Sequence, residues 1–273
     1  MLLVSLVMIA PSVSGQKLKA DEIIAKHLSS IGSAEKRALL KTLMAVGDVK
    51  VDYITPKDPP TFGRVVIASE GVKSIFWMRF DAMNYPHEKL IFDGTRADVA
   101  LVWGGNRSVL GNFLQANSSI ISQGLISGTL ATSWNLLAAA ERGAKITSSG
   151  SKKIDGKEAY ALAIIPKGGS DLDIKMYFDQ QTFQHLRTEY SRVSSASPGR
   201  TIDASARQYE TRFKITEDFS DHQNYEGLTI PRKYRLHYSV SGQNGTNEFV
   251  WTCNFSEFAI NQALGPETFV IGK

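Results

Sequence analysis

The chain has 273 residues, 42% of them hydrophobic and 21% charged, with a formal charge of +4 and one cysteine. This composition excludes a disordered or collagen-like chain, and the scattered lysines and arginines lack the clustered basic stripe of a nucleic-acid binder, so no nucleic-acid partner is expected. Cys253 alone excludes an internal disulfide and a cysteine-based zinc site.

Residues 1–15, MLLVSLVMIAPSVSG, read as a secretory signal. The apolar run Leu2 to Ala10 is too short to span a bilayer, and Val13 and Gly15 suit cleavage after small residues. No cysteine follows that run, so an exported protein without a lipid anchor is expected over residues 16–273. Ala20 to Ser30 has the spacing of an amphipathic helix, with Ile23, Ile24, His27 and Leu28 on one side and Gly32 as a stop. His27 reads as a histidine at the edge of the apolar face.

From Leu39 onward the period is that of strands. Thr42 to Ile54 forms the first, and Pro56-Lys57-Asp58-Pro59-Pro60 is expected to end it. Arg64 to Ser69 and Lys73 to Phe80 follow. In the latter, Phe76, Met78 and Phe80 form one face while Ile75 and Trp77 make the other substantially apolar too. Lys89 to Phe92 leads into Asp93-Gly94, and Asp98 to Trp103 is the return strand of that hairpin.

Residues 107–142 break the alternation. Their spacing is helical, with Leu130, Trp134 and Leu137 aligned, and Gly111, Gly124 and Gly128 divide them into short helices. Ile120, Ile121, Leu125 and Ile126 add more apolar surface than an exposed helix needs. Two readings fit: a fixed helical layer over an open sheet face, or a lid over a cavity.

Residues 157–190 form a meander of three strands. Tyr160, Leu162 and Ile164 share a face in the first, and Leu172, Ile174, Met176 and Phe178 in the second. In the third, Leu186, Thr188 and Tyr190 oppose His185, Arg187 and Glu189. The spacing predicts one apolar face and one largely charged, wetted face. Ser194 to Ser205 reads as a polar loop. Tyr209, Thr211, Phe213 and Ile215 then alternate with Glu210, Arg212 and Lys214. Tyr234, Leu236, Tyr238 and Val240 make another inner row, and Phe249, Trp251, Cys253 and Phe255 the last.

Catalytic signatures do not emerge. There is no G-x-S-x-G elbow, H-E-x-x-H helix, Walker loop or G-x-G-x-x-G turn. The histidines at 27, 87, 185, 222 and 237 are isolated, and His185 and His237 fall on polar strand faces. Asp218, Asp221 and His222 are accounted for by a polar loop, and the other acids by turns and outer faces. No metal and no cofactor are expected.

The hairpin Lys89-Leu90-Ile91-Phe92-Asp93-Gly94, the helical insertion at 107–142, the run GKEAYALAIIPKG…DIKMYFDQQTFQHLRTEY and the segment Tyr225-Glu226-Gly227-Leu228-Thr229-Ile230-Pro231 occur in this order. In order and texture they resemble the LolA/LolB type of periplasmic lipoprotein-carrier superfamily over most of residues 17–270. The resemblance implies a mainly β fold with some α: an incomplete, strongly curved antiparallel β-barrel, covered on its open side by short helices. It implies a monomeric, non-catalytic periplasmic carrier of acyl chains of lipids or lipoproteins. The ligand would lie against Phe76, Met78, Phe80, Leu125, Ile126, Leu130, Trp134, Tyr160, Leu162, Ile164, Ile174, Met176 and Phe178. The family's lid-holding arginine corresponds loosely to Arg79, without the proline that commonly follows it. Two alternatives stand beside the carrier: an RseB-like envelope sensor or scaffold with a membrane-protein partner, and a lipid-ester hydrolase.

The signal reading predicts a mature N-terminus near Gln16. Intact-mass analysis of exported protein should show the loss of residues 1–15, and retention of Met1 would overturn it.

Overall fold

A computed structural model describes residues 18–83, 85, 87–100, 107–131, 134–195, 210–243 and 245–271. The alternation read from the sequence becomes twelve strands among these residues: β1 (Thr42–Thr55), β2 (Asp58–Glu70), β3 (Lys73–Phe80), β4 (His87–Phe92), β5 (Ala97–Ala100), β6 (Lys145–Ile154), β7 (Lys157–Ile165), β8 (Asp173–Asp179), β9 (His185–Ser194), β10 (Thr211–Tyr225), β11 (Leu228–Gly242) and β12 (Gly245–Ile260). All pair antiparallel in one sheet of order β5-β4-β3-β2-β1-β12-β11-β10-β9-β8-β7-β6. The sheet does not close, and it is the incomplete barrel expected. Its edges are β5 and β6, consecutive strands whose connection must cross the open side. That connection carries α3 (Val109–Ala116), α4 (Ser119–Ser122), a 3-10 turn (Gly128–Leu130) and α5 (Asn135–Glu141).

The concave face gathers a single large core from almost every strand and from the helices. Before the sheet come α1 (Ala20–Ile31) and α2 (Ala34–Leu39). The first turns Ile23, His27 and Ile31 inward and packs on β11 and toward β6. The N-terminal 17 residues, with the predicted signal, lie outside the described residues, as do 101–103 of the predicted return strand, 196–205 of the polar loop and Tyr209 of the strand row after it. Among the described residues no helix is long and apolar enough to cross a membrane.

Several local expectations are corrected. The first strand ends at Thr55, before Pro56 as expected, but Pro59 and Pro60 are not part of a loop and lie inside β2, which starts at Asp58 and not near Arg64. They fall where the register with β1 slips, between Val51↔Thr61 and Tyr53↔Asp58, and before pairing with β3 begins at Gly63. A residue without an N–H is tolerated at such a bulge because no ladder bond is lost there. The convex face is not uniformly charged either. Ile154, Ala159, Ala161, Tyr177 and Leu186 form a small buried cluster on it, and Phe269 folds back over Ala68, Ile75 and Ile91. The second cluster explains the apolar outer side of β3. Asp218, Asp221 and His222 belong to β10 and not to a loop.

The largest correction concerns His185. Tyr177 pairs with Arg187 but Phe178 pairs with His185, so Leu186 is an extra residue in β9. The bulge resets the alternation: Leu186 goes to the convex cluster, and His185 turns inward with Thr188 and Tyr190. His185 stacks between Phe178 (5.1 Å) and Phe219 (4.4 Å), and His27 packs on Phe178 at 4.6 Å. His27 is therefore not an edge residue but a buried one, with Nδ1 2.9 Å from Phe183 O.

Burial pushes His27 and His222 down to about 4 and His185 well below its ordinary value. Between pH 6.5 and 4 the unfolded chain binds protons that the folded core refuses, so stability falls as pH falls, at about 1.4 kcal/mol per pH unit for each such histidine. His27→Gln, which keeps a donor for Phe183 O, should remove one of these terms. Urea unfolding at pH 6.5 and 4.5 should then show a loss smaller by about 2 kcal/mol than in the parent protein; an unchanged loss would refute the assignment.

Candidate functional site

Short helices in a dry environment leave orphan backbone groups at their ends, and these need partners. The sheet supplies two from its concave face. Glu88, on β4, accepts from the Ser108 hydroxyl (2.8 and 2.7 Å to its two oxygens) and from the Ser108 amide at 3.2 Å. Ser108 in turn caps α3, its hydroxyl accepting from Gly111 N at 3.0 Å. Tyr85 donates to Glu88 at 2.8 Å, and the Trp251 indole N–H donates to the Tyr85 oxygen at 3.2 Å. Burial pushes the Glu88 carboxyl up, while the Ser108 and Tyr85 bonds pull it back. Gly111, expected to break the helix, lies inside α3; a Cβ there would fall 2.0 Å from Glu88 Oε1.

The second anchor is Glu217. It continues the inward row Phe213, Ile215 on β10 and is fully buried. Its Oε1 accepts from Ser127 N at 2.8 Å and Tyr234 OH at 2.7 Å, and its Oε2 lies 2.7 Å from Tyr190 OH. The same Tyr190 hydroxyl donates to Leu125 O at 2.6 Å. Burial pushes Glu217 up to about 7. A third tie is Arg142, which donates to Ser122 O and lies 5.0 Å over the Phe92 ring.

Beneath this cover lie the residues singled out from the sequence. Phe76, Met78 and Phe80 on β3, Leu162 and Ile164 on β7, Ile174, Met176 and Phe178 on β8, and Leu125, Ile126, Leu130 and Trp134 of the cover belong to one packed cluster, with Tyr160 half-buried against it. Leu137, expected on that stripe, is exposed, and α5 buries Leu136 and Ala139 instead. Among the described residues, a void of about 10 Å³ lies between Ile67, Phe76, Leu90, Ile121 and Ile126. Arg79 sits on the convex face of β3, exposed between the inward Met78 and Phe80 and away from the cover.

A larger space lies at the rim. A cleft of about 210 Å³ is lined by Val51 and Tyr53 of β1, Phe249 and Trp251 of β12, Tyr85, and Arg107, Ser108 and Val109 at the start of α3. Its walls are aromatic, and Arg107 is exposed at its side with Nε donating to Val99 O at 2.8 Å. Trp251, Tyr85 and Ser108 link the cleft directly to the Glu88 anchor. Sequence reasoning placed Trp251 in an inner row but had no signal for the cleft, whose walls come from segments about 200 residues apart. A second, polar cleft of about 530 Å³ lies on the convex side, where Asp218 bridges Arg187 (2.5 Å) and Arg235 (3.2 Å). Among the described residues no group of three or more His, Cys, Asp or Glu side chains is placed to hold a metal ion.

This architecture has solved counterparts. A DUF1329 family protein from Desulfovibrio piger superposes with a TM-score of 0.52 at 12% identity, over 92% of this chain and 97% of that one. The two share a fold. A LolA superfamily protein from Nitrosomonas europaea matches over 93% and 98% of the two chains, at 13% identity and a TM-score of 0.49. A putative outer membrane lipoprotein-sorting protein domain from Vibrio parahaemolyticus gives 0.49 at 11% identity over 91% and 94%. At such identities the fold is what is shared. No protein-family model and no curated protein matches the sequence.

The Glu88 anchor predicts that Gly111→Ala, which drives a methyl into the carboxylate, destabilises the protein by about 1–3 kcal/mol. Ser108→Ala, which removes the cap and a carboxylate partner, should cost about 1 kcal/mol or more. Thermal melts of the two variants check this, and a Gly111→Ala protein as stable as the parent would refute the close approach.

Proposed function

We propose that this protein is a non-catalytic binder or carrier of amphiphilic lipids, or of the acyl chains of lipidated proteins, in the periplasm. The observation that supports this reading best is the aromatic cleft beside Arg107, at the rim of a packed apolar interior. An acyl chain entering between Tyr53, Trp251 and Phe249 meets mainly apolar and aromatic surface, while an anionic head finds the Arg107 guanidinium at the side of the cleft. The cleft is smaller than the 300–1,000 Å³ of sites that enclose a whole small molecule. It therefore takes the end of a ligand, and a longer chain displaces the cover to reach the core. Each methylene buried contributes about 0.8 kcal/mol, so a long chain offsets the cost of lifting part of the cover.

The buried carboxylates argue against hydrolysis at this site. Glu88 and Glu217 line neither the cleft nor the interior void, and their oxygens are engaged by tyrosines, a serine and backbone amides. In this reading Arg107, which lines the cleft, takes the role of meeting the ligand's head, and Arg79, on the convex face, does not.

Delipidated protein titrated with a fluorescent fatty acid should bind at micromolar levels or better. Trp251→Ala should weaken binding tenfold or more. Arg107→Gln should weaken an anionic fatty acid several-fold while leaving its methyl ester unaffected. Binding of neither a fatty acid nor a lipopeptide would overturn the proposal, and co-purification with a protein partner but no lipid would point to the scaffold alternative.

A further inference from the structure

We propose that Glu217 is a proton-operated latch on the helical cover, holding the Leu125–Gly128 turn shut when protonated and loosening it when ionised. Counting protons around Tyr190 leads to this. The tyrosine has one O–H, yet its oxygen lies 2.6 Å from Leu125 O and 2.7 Å from Glu217 Oε2. A carbonyl and an ionised carboxylate only accept. With Glu217 ionised, one of these two short contacts has no hydrogen between its oxygens. With a proton on Oε2, Glu217 donates to Tyr190, Tyr190 donates to Leu125 O, and Oε1 still accepts from Ser127 N and Tyr234 OH. Both distances are ordinary for O–H···O bonds.

The turn itself is held under strain. Ser127 and Gly128 take left-handed φ values of 70° and 51°, and the first is unfavourable for a residue with a side chain. A Cβ on Gly128 would fall 2.6 Å from the Phe219 ring and 2.9 Å from His185 Nδ1, so the turn is wedged against β9 and β10. It stays there because Glu217 and Tyr190 hold it from below.

Among the described residues no cation compensates Glu217. From β9 it faces Tyr190, with His185 behind the turn. Tyr234 faces it from β11, with Cys253 of β12 beyond, and Asp218 lies next along β10 on the opposite face. From α1 and the far end of β10, His27 and His222 act on His185 and not on Glu217. Ser127 through Leu130 bring no titratable group. Burial keeps these histidines, the tyrosines and the thiol neutral, and raises Glu217 to about 7 from its ordinary 4.5.

The sign follows from linkage. The closed turn binds the Glu217 proton more tightly than an opened, hydrated turn, so closure is fully favoured below about pH 4.5. It is progressively lost as pH rises to about 7, with opening increasing tenfold per pH unit, and levels off above. His185, exposed by the same opening, works in the opposite direction below pH 6.5, so the Glu217 contribution is isolated by a variant.

The cover is the one that the amphiphile reading requires to lift, and the test is ligand-free so that the two fail separately. Hydrogen exchange of the full chain is followed by mass spectrometry at pH 5, 6, 6.5, 7 and 8, with rates corrected for intrinsic exchange. Peptides spanning 119–131 should open about fourfold more at pH 8 than at pH 6.5, a range in which His185 stays neutral, while peptides from β11 and β12 stay constant. Glu217→Gln, whose amide donates to Tyr190 without titrating, should abolish the rise and keep the turn protected at pH 8. An identical rise in that variant, or a change shared equally by β11 and β12, would overturn the latch. Should Glu217→Gln fail to fold, the parent protein decides between pH 6.5 and 8, where His185 is neutral whether the turn is closed or open: no increase in opening of 119–131 over that range sinks the proposal.

Discussion

An antiparallel sheet that curls without closing creates two problems at once: an apolar concave face with nothing on it, and two edges with unpaired backbone groups. Here the chain answers both with one connection. The first and last strands, β1 and β12, pair in the middle of the sheet, so the edges fall to β5 and β6, which are neighbours in sequence. The segment between them has to cross the open side, and it does so as short apolar helices. Everything else in the molecule, from the filled interior to the placement of the rim cleft, depends on that cover lying down.

Hydrophobic burial alone would press the cover onto the sheet without fixing where it sits. Position comes from directional bonds. Glu88 meets the capped start of α3 at one end of the concave face, and Glu217 meets the Ser127 amide further along. An unpaired backbone group in such a place costs more than the bond contributes when made, so these pairs specify register more than they add stability. The two surfaces of the sheet handle charge differently. The convex face carries ionised partners such as Arg187, Asp218 and Arg235. The concave face offers its buried groups little water: its histidines are too deep to protonate readily and its carboxyls are pushed upward. The buried histidines and Glu217 respond to pH in opposite senses. The histidines erode stability toward acid, and Glu217 erodes it toward neutrality, a balance that favours a broad range of tolerance for the fold as a whole.

Strand existence, the hairpin at Asp93-Gly94, the turn at Glu226-Gly227 and the helical character of 107–142 were legible in the sequence. Each is set by local rules: a period of two against 3.6, and residues suited to left-handed turns. The inner rows of β3, β8, β11 and β12 and the burial of Cys253 followed from the same periodicity. Three things were decided only by the tertiary structure. The extra residue at Leu186 shifts the phase of β9 and carries His185 inward, and nothing in HLRTEY marks where a partner strand will slip. Glu88 and Glu217 read as ordinary strand acids, because a carboxyl's environment is set by Ser108, Tyr190, Tyr234 and Ser127, all distant in the chain. The rim cleft joins β1, β12 and the start of α3. Sequence specifies which face of a strand is apolar because side-chain alternation is local; which apolar residues are left with space beside them depends on how strands far apart in the chain come to pack.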